Sequence, residues 1–148
     1  VRPLLSLLAP HLSWIDQPLA GETAVRRSMI EELPMPEGWG VEIAMILDVA
    51  ERFGVEAITE VHLGERRHRH RNLLDLRVQA AEVTETLLGR LGIKTVEETP
   101  VLWLPDGDHI SLNLGERPPA RDARAAAAAS PTDRIASDRE HGDPFDVL

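Results

Sequence analysis

The order of elements across residues 39–92, helix then strand then loop then helix, predicts an α/β layered fold with helices packed on a few strands. Three stretches carry that expectation. "GWGVEIAMILDVAERFG" places Trp39, Ile43, Ile46, Leu47, Ala50 and Phe53 at helical spacing on one face, with Gly54 as a natural C-cap. "VEAITEVHLG" is β-branched and alternating, which predicts a strand over Val55–Leu63 ended by Gly64. "NLLDLRVQAAEVTETLLGRLG" predicts a long amphipathic helix with Leu73, Leu76, Ala80, Val83, Leu87 and Leu91 on its inner side.

The other elements follow from punctuation. Residues 1–9 read as a short helix stopped at Ala9-Pro10, because proline disfavours helix in the residue before it. Leu4, Leu5, Leu7 and Leu8 call for a partner surface. With no initiator Met in "VRPLLSLLAP", the hypothesis is a C-terminal piece of a larger protein, which the mass of the native gene product would settle. Gly21 ends the first portion, and Thr23–Leu33 is expected to be helical, closed by Pro34 and Pro36. "TPVLWLP" reads as a short strand and "HISLNLGERPP" as a second extended piece. From Pro118 the chain has few bulky apolar residues, mixed charge and an alanine run. Residues 118–148 are therefore expected to form a disordered tail, with Ala125–Ala129 transiently helical, behind one domain over 1–117. No internal repeat is visible.

Composition sets outer bounds. The 148 residues are about one domain, with 43% hydrophobic and 28% charged residues, enough for a real core. No run approaches the ~20 apolar residues of a membrane-spanning helix. The absence of cysteine rules out disulfides and thiolate metal sites, and it fits a reducing cytoplasm. A net charge of -9 and only three Trp and two Phe argue against a general nucleic-acid or anionic-membrane surface.

Against that acidic background, "RRHRHR" packs four arginines and two histidines into Arg66–Arg71, just after the expected strand. In open α/β sheets, ligands bind beyond the carboxyl ends of strands. Arginine offers planar, permanently charged phosphate contacts, and neutral imidazole ligates divalent cations. The loop therefore suits an anion, a metal, or both, with His68 and His70 on one face of extended chain or only one of them pointing inward. The plainer alternative is a solvated basic turn paired with Glu56, Glu60 or Glu65.

Glu42 falls in the inward arc of its helix, near Ile46, Val49 and Phe53, and in the first turn, where free N–H groups favour a carboxylate. It reads either as an N-terminal capping group or as a carboxylate at the mouth of a cleft, able to accept a hydrogen bond from a substrate hydroxyl. Gly38-Trp39-Gly40 before it permits close backbone approach.

Taken together, "PLAGETAVRR", "LPMPEGWGVEIAMILDVAERFGVEAITEVHLGERRHRHR" and the following helix resemble the C-terminal half of the bacterial glucosyl-3-phosphoglycerate synthases, over residues 1–117 and most specifically over 17–76. The resemblance implies the C-terminal portion of a GT-A, Rossmann-like glycosyltransferase fold. It implies glucose transfer from UDP-glucose, or another nucleotide diphosphate sugar, to 3-phosphoglycerate with retention, assisted by Mg2+ or Mn2+. It further implies Glu42 as the catalytic carboxylate, His68 as the metal ligand preceded by Arg66, and Arg71 facing donor phosphate. Gly38, Trp39 and Gly40 belong to the same substrate-binding motif. His70 stands where relatives carry asparagine, which alters that contact, and the Gly21-Glu22 turn matches a segment near the cleft. A cytoplasmic homodimer is implied, with no nucleic-acid or membrane partner.

The family's Asp-x-Asp metal motif and nucleotide-binding units would precede Val1, so this chain alone is expected to be inactive. Asp106-Gly107-Asp108 matches that motif in letters, but Pro105, Gly107 and both aspartates are turn formers, and it reads as a turn. Three competing readings stay open. One is the mannosyl sibling of the same reaction. The second is a non-catalytic fragment or oligomerisation module, and the third a small metalloprotein on His62, His68 and His70.

Overall fold

The computed structural model describes residues 1–64, 76–95 and 100–129. Its elements are α1 (Arg2–Leu8), α2 (Arg27–Ile30), β1 (Met35–Pro36), α3 (Val41–Phe53), α4 (Leu76–Arg90), β2 (Val101–Trp103), β3 (His109–Ser111), β4 (Glu116–Arg117) and α5 (Ala120–Ala129). Among the described residues the strands form two antiparallel pairs rather than one layered sheet. β1 pairs with β4 through Met35 opposite Arg117, and β2 pairs with β3 through Leu102 opposite Ile110.

The core lies between α1, α3 and α4. Leu5, Ala9, Leu12 and Ile15 from the N-terminal segment meet Ile43 and Leu47 of α3 and Val83 and Leu87 of α4. At ~25 cal/mol per Å² of apolar area removed from water, such a cluster is the main stabilising term. The leucines of α1 divide: Leu5 is fully buried and Leu4 packs on the cluster, whereas Leu7 and Leu8 are exposed. No helix among the described residues is long and apolar enough to cross a membrane.

Several expectations are corrected. Val55–Leu63 is not a strand: Val55–Ala57 form a single 3-10 turn, and residues 58–64 run on without ladder pairing among the described residues. Alternation proposes a strand, but only a neighbouring edge can satisfy its backbone groups. Val61 and Leu63 are exposed, and Glu60 turns its carboxylate to the backbone N–H groups of Asp16 and Gln17. Helix shrinks within Thr23–Leu33 to Arg27–Ile30, because Arg26 is extended and no side chain caps the N-terminus. On α4 the expected inner side holds at Val83 and Leu87, which are buried, and at Leu91, which packs on the core, but Ala80 is exposed and Glu82 is buried instead. Trp39, placed on the inner face of α3, is 45% exposed.

Where a disordered tail is expected from Pro118, residues 120–129 form α5, and residues 130–148 lie outside the described residues. The Arg121 N–H donates to the Glu31 carbonyl at 3.0 Å, and the Arg124 guanidinium donates to the Glu31 carboxylate at 2.8 Å. Arg27 and Arg124 hold the Glu31 carboxyl below the usual glutamate range. Asp106-Gly107-Asp108 is the turn of the β2–β3 hairpin, with Gly107 at φ +91 and Asp106 accepting the Asp108 N–H.

α3 and α4 are also joined by charge. Asp48 is buried, and Arg90 Nε stands 2.8 Å from its Oδ1 while the same guanidinium donates to Glu116 of β4. The Asp48–Arg90 contact is close but poorly aligned, leaving Asp48 Oδ2 and Arg90 Nε without a hydrogen-bond partner. Burial pushes the Asp48 carboxyl above the usual aspartate range, against the opposing pull of Arg90. An acid raised in the folded state adds stability at low pH and loses it as the pH rises through its folded-state value. Asp48→Asn is therefore expected to match the unsubstituted chain in melting temperature at about pH 3 and to melt higher at about pH 7. A lower melting temperature at neutral pH would mean that pairing with Arg90 outweighs desolvation.

Candidate active site

Three segments converge around one turn. Gly38–Gly40 form a 3-10 turn that leads straight into α3, so Glu42 falls in the first turn of that helix. Beneath the turn lies Glu82 of α4, only 4% exposed. Its Oε2 accepts the Trp39 N–H at 2.9 Å, and its Oε1 accepts the Asn113 N–H at 2.9 Å. Glu37 closes the far side by donating its N–H to the Gly115 carbonyl at 2.6 Å.

The glycines are dictated by this packing. A Cβ on Gly38 would stand 2.5 Å from Glu82 Oε2 and 2.7 Å from the Asn113 carbonyl, and its φ of +75 already favours glycine. A Cβ on Gly40 would stand 2.0 Å from Thr86 Oγ1. Glu82 and Thr86, one helical turn apart on α4, thus form the seat of the turn.

Glu42 itself is half-buried, and its carboxylate makes no hydrogen bond or ion pair with described residues. The capping reading therefore finds no support among the described residues. Three residues before Glu42, Trp39 is partly exposed. A hollow of about 170 Å³ beside α4, lined by Glu85, Thr86, Arg90 and Glu116 among others, does not include Glu42.

No protein-family model matches the chain. The glucosyl-3-phosphoglycerate synthase of Mycolicibacterium smegmatis is 38% identical over 128 residues, which span 83% of this chain and 42% of that protein. The synthase of Petrotoga mobilis is 50% identical over 90 residues, 61% of this chain and 28% of that protein. The crystal structure of the Mycobacterium tuberculosis synthase in complex with Mn2+, UDP-glucose and phosphoglyceric acid matches with a TM-score of 0.75 and 39% identity, over 83% of this chain and 44% of that one. The chain is related to part of the glucosyl-3-phosphoglycerate synthases. It spans about two-fifths of the length of the relatives it matches, a share that fits a C-terminal half.

The glucosyl-3-phosphoglycerate synthase likeness bears out the α/β, glycosyltransferase-type fold expected from the sequence, although the two short strand pairs are all the sheet that the described residues hold. These relatives are glucosyl enzymes, and none of them supports the mannosyl alternative. Of the residues singled out in the sequence, Gly38, Trp39, Gly40 and Glu42 are brought together by the seated turn. Gly21, at φ +76, and Glu22 lie in an exposed turn. Arg66, His68, His70 and Arg71 lie outside the described residues. No cluster of three metal-ligating side chains occurs among the described residues, and the His62, His68 and His70 reading rests on two residues outside them. Sequence reasoning missed Glu82. The only signal was an acid next to Val83 inside the arc of an amphipathic helix.

Proposed function

We propose that the chain supplies the acceptor-and-metal half of a glucosyl-3-phosphoglycerate synthase, a retaining enzyme moving glucose from UDP-glucose to 3-phosphoglycerate. The observation that carries this is Glu42, presented on the first turn of α3 without a hydrogen bond or ion pair among the described residues, in a chain 39% identical to a synthase solved with Mn2+, UDP-glucose and phosphoglyceric acid. In the transfer, the bond from the anomeric carbon to the diphosphate breaks, a bond to the acceptor oxygen forms on the same face, and the acceptor hydroxyl's proton leaves with the departing diphosphate. Glu42 accepts a hydrogen bond from the acceptor hydroxyl and faces the positive charge that develops on the sugar ring. Arg66 and Arg71 pair with phosphate oxygens of the departing nucleotide, and His70 lines the same loop.

Relatives are solved with Mn2+ or Mg2+ and UDP. A neutral imidazole fits such a cation, and His68 would hold it. No group of three metal-ligating side chains occurs among the described residues. When bound, the cation neutralises charge on the diphosphate. Exposed Leu7, Val61 and Leu63 support a further covered surface in the assembled enzyme, which we take to be a cytoplasmic homodimer.

The test is calorimetric titration of UDP with Mg2+, on this chain and on a version extended upstream to the relatives' length. Tight Mg2+-dependent binding by the extended protein, weakened about 10- to 100-fold by His68→Ala, is expected. Absence of binding by the extended protein, or indifference to the substitution, would leave the basic loop a solvated turn. Gel filtration of the extended protein reads the dimer directly.

A further inference from the structure

We propose that Glu82 is a positioning residue for the reaction: it holds the Gly38-Trp39-Gly40 turn, and through that turn Glu42, at a fixed distance from the 113–115 segment. This rests on the proposed role of Glu42, but its geometric half can be tested separately. A buried carboxylate is costly unless its oxygens are satisfied. Here each oxygen of Glu82 receives one backbone N–H, from Trp39 and from Asn113, residues 43 and 31 positions away along the chain. Charge-assisted bonds of this kind are roughly twice as strong as neutral ones.

A purely structural glutamate would brace helix to helix, as Arg90 and Asp48 do between α4 and α3. Glu82 instead grips the one turn whose last residue, Gly40, is followed at once by Val41 and Glu42. The turn has little room to move: Thr86 blocks it beside Gly40, and the Asn113 carbonyl blocks it beside Gly38. Ile43 and Leu47 pack α3 into the core, and the clamp adds a second fixed point at the turn just before Glu42. A displacement of about 1 Å in such a group costs about a hundredfold in rate. Two backbone amides held by one carboxylate are thus a device for precision at Glu42.

The experiment compares Glu82→Gln with Leu87→Ala, which removes another fully buried side chain of the same helix, one in the core cluster. The introduced side-chain amide offers one acceptor oxygen where the carboxylate offers two, so either Trp39 or Asn113 loses its partner. In the 148-residue chain, amide exchange at Trp39 or Asn113 is expected to accelerate about tenfold, with Leu47 and Val49 unchanged. In the extended protein, kcat is expected to fall at least about tenfold with KM for UDP-glucose within about twofold. Leu87→Ala should lower the melting temperature at least as much and leave kcat nearly intact below it. Unchanged exchange at both amides, or a kcat loss no larger than that of Leu87→Ala, overturns the proposal. If Glu42→Gln keeps full turnover, the functional reading falls, and amide exchange alone still decides whether Glu82 clamps the turn.

Discussion

Glu42→Gln is expected to lower turnover of the extended enzyme by about 10²–10⁴-fold while shifting stability by about 1 kcal/mol or less. The substitution keeps shape and removes charge. Its effect on stability is small because no hydrogen bond or ion pair to described residues is broken. What is lost is the interaction of a carboxylate with a helix N-terminus, worth about 0.3–1 kcal/mol at the surface. The effect on rate is large because an amide is a weaker hydrogen-bond acceptor and cannot offset positive charge on a sugar ring. The measurement is kcat and KM for both substrates alongside a thermal melt. A large drop in kcat with an unaltered melt fits a group acting in the transition state. Intact turnover with a lowered melt would instead return Glu42 to the role of a helix-capping charge.

How much of this was legible beforehand depends on what each residue needs from its neighbours. α3 was readable because its signals are local: helical spacing from Ile43 to Leu47 and a terminating glycine at Gly54, found at φ +87. The Asp106-Gly107-Asp108 turn was readable for the same reason, since its chemistry is contained in four residues. Val55–Leu63 was misread because alternation states only that a segment is able to pair, whereas pairing needs an edge from elsewhere. Glu82 was invisible because its partners are the backbone N–H groups of Trp39 and Asn113, and no side-chain pattern encodes a backbone donor. The same bonds bring Glu82 inward beside Val83 and Leu87, whereas Ala80, expected on that side, is exposed. α5 shows the opposite case. Its composition predicts disorder, and long-range pairing of Arg121 and Arg124 with Glu32 and Glu31 gives it a place. Of the candidate site, the Gly-Trp-Gly-Val-Glu stretch was recognisable by likeness, but the seat that explains its glycines was not.

Those glycines give the second large prediction. Gly40 has φ -79, a conformation that any residue adopts, so alanine there carries no backbone strain. By chain entropy alone, Gly40→Ala would stabilise the fold by about 0.4–1 kcal/mol. The new methyl would instead lie 2.0 Å from Thr86 Oγ1, 2.6 Å from its Cβ and 2.8 Å from its Cγ2. A rotamer change moves Oγ1 and Cγ2 but not Cβ, so the turn and α4 must separate. Overpacking of this kind costs about 1–3 kcal/mol, which for a domain of this size lowers the melting temperature by roughly 3–10 °C. Gly89 is the internal control. It lies on the same helix with nothing within 4 Å of the added Cβ, so Gly89→Ala should raise the melting temperature slightly. One chemical change, a methyl for a hydrogen, thus takes opposite signs at two positions. Separation of the turn from α4 would also pull Trp39 from Glu82, so Gly40→Ala should lose turnover beyond what its melting temperature explains. If both variants melt alike and the Gly40→Ala enzyme turns over normally, the turn does not rest on Thr86, and Glu42 is oriented by something other than α4.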